Sequence, residues 1–259
     1  MSYFAREAEA LRFVPTKHVG GAWNTEEQHI APALGLLAHC VELDRDARRG
    51  HDLVIGRLAY DILGTIPVDV VDADVSLVRA GRTIELVEAA LGHGGRDALI
   101  LRAWLMQPGD TATLAATPFP RIPGPDDTPV WDPTTMWPGG FIESAQVRRA
   151  QVEPGRATFW VRTDVPLVAG EAVSTLAGAV GLLDIANGMT TRVSPLDVAF
   201  PNLDTTVHFF TEPRGDWVGF DTTVSFGGAG IGLTHSVVHD VDGPVGVVTQ
   251  ILTIRPKRG

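Results

Sequence analysis

Asp184 and Gln250 stand in this chain where a related stretch carries apolar residues. Gly35-Leu36-Leu37 is followed by Ala38, and Gly181-Leu182-Leu183 is followed by Asp184, 146 positions later (38 to 184). The same offset carries Trp104 onto Gln250. A carboxylate can take a proton, and an amide donates and accepts hydrogen bonds, so together they can hold and activate a small polar reactant. If the chain is a duplicated fold, its working polar groups belong to the C-terminal copy.

The elements that must position these residues follow from patterning. Residues 29–43 place Ile30, Leu34, Leu37 and Val41 at helical spacing, with Thr25, Glu26, Glu27 and Gln28 offering capping chemistry upstream. After Gly50, residues 53–66, 68–79, 83–91 and 97–106 read as strands, with turns at Ala80-Gly81-Arg82 and Gly92-His93-Gly94-Gly95. Residues 107–140 contain Pro108, Pro118, Pro120 and five further prolines, a density that excludes helix and sheet interiors. Beyond that segment the order repeats: a strand at 157–163, a helix at 170–187, then strands at 193–210, 217–226, 233–241 and 245–254. The spacing predicts an N-terminal unit over 1–106, a Pro-rich linker over 107–140 and a C-terminal unit over 141–259. Near the middle, Val71-Asp72-Ala73-Asp74 pairs best with Pro201-Asn202-Leu203-Asp204, at a shorter offset.

Composition bounds the function. With 44% hydrophobic and 20% charged residues the chain is a folded globular protein, and a net charge of −10 disfavours nucleic acid or an anionic membrane as partner. The single cysteine, Cys40, leaves no intrachain disulfide. The first fifteen residues, with Arg6, Glu7 and Glu9, contain no apolar signal-peptide core, and no segment has the length of a membrane span. The expected location is the cytoplasm.

Several motifs taken in order carry a family likeness. Gly21-Ala22-Trp23-Asn24, the Gly35-Leu36-Leu37 helix, Arg79-Ala80-Gly81-Arg82, Phe200-Pro201-Asn202-Leu203-Asp204 with Val207-His208, and Gly243 leading to Gln250 together resemble the thioesterase-like superfamily of double hotdog proteins, relatives of the bacterial acyl-CoA thioesterase II enzymes. The likeness covers nearly the whole chain outside the Pro-rich segment. It implies an α+β double hotdog, two units each wrapping an antiparallel sheet around a helix, and hydrolysis of fatty acyl-CoA thioesters to fatty acid and CoA. It also implies a homo-oligomer and no cofactor. In the enzymes it resembles, an Asp, a Ser or Thr and a Gln hold a water; those positions fall on Asp184, on Asn202 by the best local match, and on Gln250. At Asn202 an amide replaces the hydroxyl, a departure that favours the alternative function, a non-catalytic acyl-CoA or lipid-binding protein.

Each residue also has a plainer reading. Asp184 near a helix end could be an exposed acid, unfavourable to the helix dipole, and Gln250 in an apolar strand a buried, hydrogen-bonded amide. Regular alternation puts Asn202 on one face with Asp204, Thr206 and His208, away from Leu203, Val207 and Phe209, unless Pro201 marks a bulge. Asp204 and His208 are therefore second-tier site candidates. They lack the Gly-Asp-x-Asn-Pro-x-His setting of hotdog hydratases, no Gly-x-Ser-x-Gly elbow is present, and the histidines show no metal-ligand spacing, so no metal is expected.

Overall fold

A helix that is apolar on every side has to be enclosed, and residues 30–38 are apolar throughout. In the computed structural model, which describes residues 1–7 and 11–257, Glu9 lies outside the described residues. There, α1 (Ile30–Arg49) follows two short strands, β1 (Phe4–Arg6) and β2 (Arg12–Pro15). It is buried continuously from Ala31 to Glu42 and ends at Gly50, whose φ of 59° only glycine adopts easily. Its cap is His29, whose ring accepts the Ala31 N–H, rather than Thr25.

Four strands wrap α1: β3 (Val54–Ile62), β4 (Val71–Arg79), β5 (Ile84–His93) and β6 (Arg96–Met106). In the Pro-rich segment lie β7 (Val130–Trp131) and, at its end, the short α2 (Gly140–Ser144). The second unit then runs through β8 (Ala145–Glu153), β9 (Arg156–Thr163), α3 (Thr175–Val180), α4 (Ala186–Met189), β10 (Val198–Ala199), β11 (Asp204–Phe209), β12 (Val218–Phe226), β13 (Ile231–Asp240), β14 (Gly243–Thr253) and β15 (Arg255–Pro256). Strand β8 was not anticipated. The helix expected over 170–187 is broken: Ser174 caps α3, Gly181 ends it, and a single 3₁₀ turn, Leu183–Ile185, leads into α4.

Among the described residues thirteen strands form one sheet, in the order β1-β2-β4-β5-β6-β3-β11-β14-β13-β12-β9-β8-β7. The two units join edge to edge at its centre, where β3 and β11 pair antiparallel with Leu58 opposite Val207 and Tyr60 opposite Thr205. Outward from that seam the order is mirrored, with β6 and β14 next and then β5 and β13. This is an α+β double hotdog. It corrects two alignments. By position in the sheet the counterpart of β11 is β3, so the match of Val71–Asp74 to Pro201–Asp204 does not hold. Trp104 lies in the outer row of β6, between buried Ala103 and Leu105, whereas Gln250 lies in the inner row of β14.

The paired Gly-Leu-Leu segments do meet. A Cβ on Gly35 would lie 2.8 Å from both the Ala177 oxygen and the Gly181 Cα, so the two central helices cross backbone to backbone at their matching glycines. The Pro-rich segment covers the outer face of the second unit, where Trp160 donates to the Pro123 carbonyl at 2.7 Å and His239 bonds the Pro120 carbonyl at 3.1 Å. Among the described residues, no helix is long and apolar enough to cross a membrane.

Candidate active site

The break at Gly181 sets the position of Asp184. The residue occupies the 3₁₀ turn before α4 rather than the last turn of a long helix, and its side chain is buried. Helix α4, directly after the turn, is held from outside by Trp137, from the Pro-rich segment, which donates to the Gly188 carbonyl at 2.9 Å. Trp137, Trp23 and Phe200 stack edge to face beside it, with centroids 4.8 to 6.0 Å apart.

Three donors converge on one oxygen of Asp184. Asn202 Nδ2 reaches Oδ1 at 2.6 Å, Gln250 Nε2 at 2.8 Å and Thr205 Oγ1 at 3.2 Å. The register of β11 on β14, with Thr206 opposite Thr249, sets Thr205 and Gln250 side by side in the inner row. Thr205 also accepts from Asn202 at 3.3 Å and from Gln250 at 3.4 Å, and Gln250 Oε1 is buried without a partner among the described residues. The other carboxylate oxygen, Oδ2, lies 3.9 Å from His29 Nδ1, beyond hydrogen-bond range. Burial pushes the Asp184 carboxyl up to about 6, against the three hydrogen bonds that pull it down.

Asp184 opens onto a cleft of about 480 Å³ whose walls include Trp23, His29, Ile62, Leu63, Asn202 and Arg255. Across the seam the first unit adds a different group to this row. Tyr60, opposite Thr205, fills the inner row of β3 and sends its hydroxyl to the Leu34 carbonyl at 2.9 Å. Among the described residues no group of three or more His, Cys, Asp or Glu side chains could hold a metal ion.

A family model of the acyl-CoA thioesterase C-terminal domain matches residues 116–254, more than half of the chain, including Asp184, Asn202, Thr205 and Gln250. The chain belongs to the acyl-CoA thioesterase C-terminal domain family. Among solved structures it is similar to the acyl-CoA thioesterase II TesB2 of Mycobacterium marinum, with 17% identity, a TM-score of 0.70 and coverage of 98% of this chain and 96% of that one. It is also similar to a hot dog fold protein of unknown function from Alicyclobacillus acidocaldarius, with 13% identity, a TM-score of 0.76 and coverage of 98% and 96%. The dehydratase domain of RzxB from Pseudomonas fluorescens matches at 11% identity, a TM-score of 0.52 and coverage of 98% and 97%. Likeness at these identities establishes the hotdog fold alone, and the same fold carries different chemistry. No curated protein matches the chain.

In this thioesterase-family chain Asp184, Asn202 and Gln250 come together although β11 alternation argued against Asn202. The reason is that β11 begins only at Asp204; Asn202 makes a lone bridge to Leu252, outside the regular alternation, and turns inward. A hydroxyl beside Asp184 is not lost either: Thr205 supplies it three residues later. Sequence reading passed over Thr205, yet a signal was present, because Thr205 shares the buried row of Val207 and Phe209. Asp204 and His208 are not brought to Asp184 with the others. Their side chains lie in the outer row, where Asp204 accepts the Ile251 N–H at 2.6 Å and His208 is exposed. His29 was also missed, since a polar residue just before an apolar helix reads as an ordinary cap.

Proposed function

We propose that this chain hydrolyses fatty acyl-CoA thioesters to free fatty acid and CoA, with Asp184 as general base. The observation that carries this reading is the asymmetric environment of the Asp184 carboxylate: Oδ1 is saturated by three donors, while Oδ2 takes no hydrogen bond among the described residues and belongs to a side chain that lines the cleft. A carboxyl poised near neutrality is ionised at physiological pH yet basic enough to accept a proton. Attack by water then forms the bond from its oxygen to the thioester carbonyl carbon and passes its proton to Oδ2. The carbonyl becomes an oxyanion, and its collapse breaks the carbon–sulfur bond. The proton held on Asp184 passes to the departing CoA sulfur, so water and thioester become acid and thiol with no covalent enzyme intermediate. Asn202, Thr205 and Gln250 fix the carboxylate by their hydrogen bonds to Oδ1. Ile62, Leu63 and Leu203 offer the acyl chain an apolar wall, and Arg255 at the cleft is a cation for CoA phosphates.

Release of free thiol from acyl-CoA substrates over a range of chain lengths tests this reading; absence of turnover on all of them overturns it and leaves a binding protein. Where turnover is present, kcat/KM is expected to rise with pH through about 6 as Asp184 ionises and to level off above.

Thr205→Val removes a donor that lowers the Asp184 pKa while keeping the shape of the side chain. Its acid limb is expected to move to higher pH, with kcat reduced about tenfold. An unshifted pH–rate profile for this variant would exclude Thr205 from the hydrogen-bonded set.

A further inference from the structure

On the unsaturated side of Asp184 stands His29, at the start of α1. Most helices are capped by Ser, Thr, Asn or Asp, each of which brings an acceptor and little else. Histidine brings an acceptor and, on the far side of the ring, a donor. Here Nδ1 accepts the Ala31 N–H at 3.1 Å, which places the proton of the neutral imidazole on Nε2. Burial pushes the His29 pKa down to about 3, so the ring is neutral at any pH where Asp184 is ionised.

Nε2 takes part in no hydrogen bond among the described residues, nor is it one of the enclosed partnerless atoms, a set that includes Nε2 of His18. It is therefore open to its surroundings. His29 lines the large cleft and also a smaller recess that Asp184 borders as well. The ring is fixed by Phe141, at a centroid distance of 4.2 Å and an interplanar angle of 34°. The first turn of α1 offers few backbone donors of its own, because Ala31 gives its N–H to His29 and Pro32 has none. The imidazole extends that helix end by one donor: the Ala31 N–H polarises the ring, and the Nε2–H carries the positive end of a twenty-residue helix to the far side of a ring that borders the cleft.

We propose that His29 is a catalytic residue that donates its Nε2–H to the thioester carbonyl oxygen as that oxygen becomes an oxyanion, a role that rests on the hydrolytic reading of Asp184. Electrostatic stabilisation by a prearranged donor acts where charge develops, so its removal lowers kcat rather than raising KM.

The test is His29→Asn, which keeps an N-cap acceptor and removes the ring donor. Expected is a fall in kcat of about 100-fold, with KM and melting temperature close to those of the wild type; His29→Ala loses thermal stability as well. A second measurement reads the same contact without turnover. In NMR of ring-labelled histidine, the wild type should show the Nε2–H tautomer, and its Nε2–H signal should shift on saturation with a ketone analogue of acyl-CoA in which CH₂ replaces sulfur. Wild-type hydrolysis with His29→Asn retaining full kcat overturns the proposal and leaves the hydrolytic reading standing. An Nε2–H signal unmoved in the saturated complex also overturns it. A wild type that shifts this signal but hydrolyses no acyl-CoA overturns the hydrolytic reading and supports the donor contact.

Discussion

Asp184→Asn is expected to lower acyl-CoA hydrolysis about 1,000-fold and, at the same time, to raise the melting temperature at pH 8 by several degrees. Both effects come from one cause. The asparagine oxygen can still accept from Asn202, Gln250 and Thr205, so the local geometry survives, but no base remains. The stability gain follows from the raised carboxyl pKa, from 3.8 to about 6. A group whose pKa is higher in the folded than in the unfolded chain contributes its stability below the unfolded value and loses it as pH rises through the folded one. Above pH 6 the wild type therefore holds a buried negative charge at a cost on the order of 3 kcal/mol, and the amide removes that cost. Below about pH 4 the wild-type carboxyl is itself protonated, and the two melting curves should converge. Thermal unfolding at pH 8 and pH 4 beside a thiol-release assay measures all of this. Retained activity would show that another group is the base; a variant less stable at pH 8 would show that the carboxylate is stabilised, not strained, where it lies.

Gly35→Ala is expected to destabilise the protein by about 3 kcal/mol and to depress activity with it. The added Cβ meets backbone atoms, the Ala177 oxygen and the Gly181 Cα at 2.8 Å, and backbone cannot rotate aside as a side chain can. The helices α1 and α3 must separate, and Asp184 lies three residues beyond the contact. Gly178→Ala is the matched control. Its Cβ meets nothing within 4 Å inside α3, so the better helix former should leave stability unchanged or raise it by up to about 1 kcal/mol. Urea unfolding of the two variants distinguishes them, and equal midpoints would refute close helix contact at Gly35.

Two of the site's residues were legible before any coordinates. Asp184 and Gln250 stood out as polar residues in apolar surroundings, Asp184 after the repeated Gly-Leu-Leu and Gln250 in a strand. The same criterion applied to β11 points to Thr205, a hydroxyl in the row of Val207 and Phe209, but attention to the local motif match settled on Asn202. Both residues touch Asp184, for different reasons. Thr205 follows strand alternation, whereas Asn202 precedes the strand and escapes it. Asp204 and His208 obey that alternation and so face outward.

Local pattern by itself determined the first helix and most of the long strands, the duplicated order, the Pro-rich crossing and the two glycines that the helices share, because hydrophobic periodicity and backbone freedom are properties of short stretches. Tertiary structure alone decided which strands are counterparts, since the seam of β3 on β11 is a pairing between residues about 145 apart in sequence whose formation depends on both units folding. It also decided that the helix over 170–187 breaks at Gly181, that Tyr60 pairs with Thr205 across the seam, and that His29 borders Asp184. The electrostatics of Asp184 belong to the same class: desolvation is produced by everything that surrounds a carboxylate, and no window of sequence contains that surrounding.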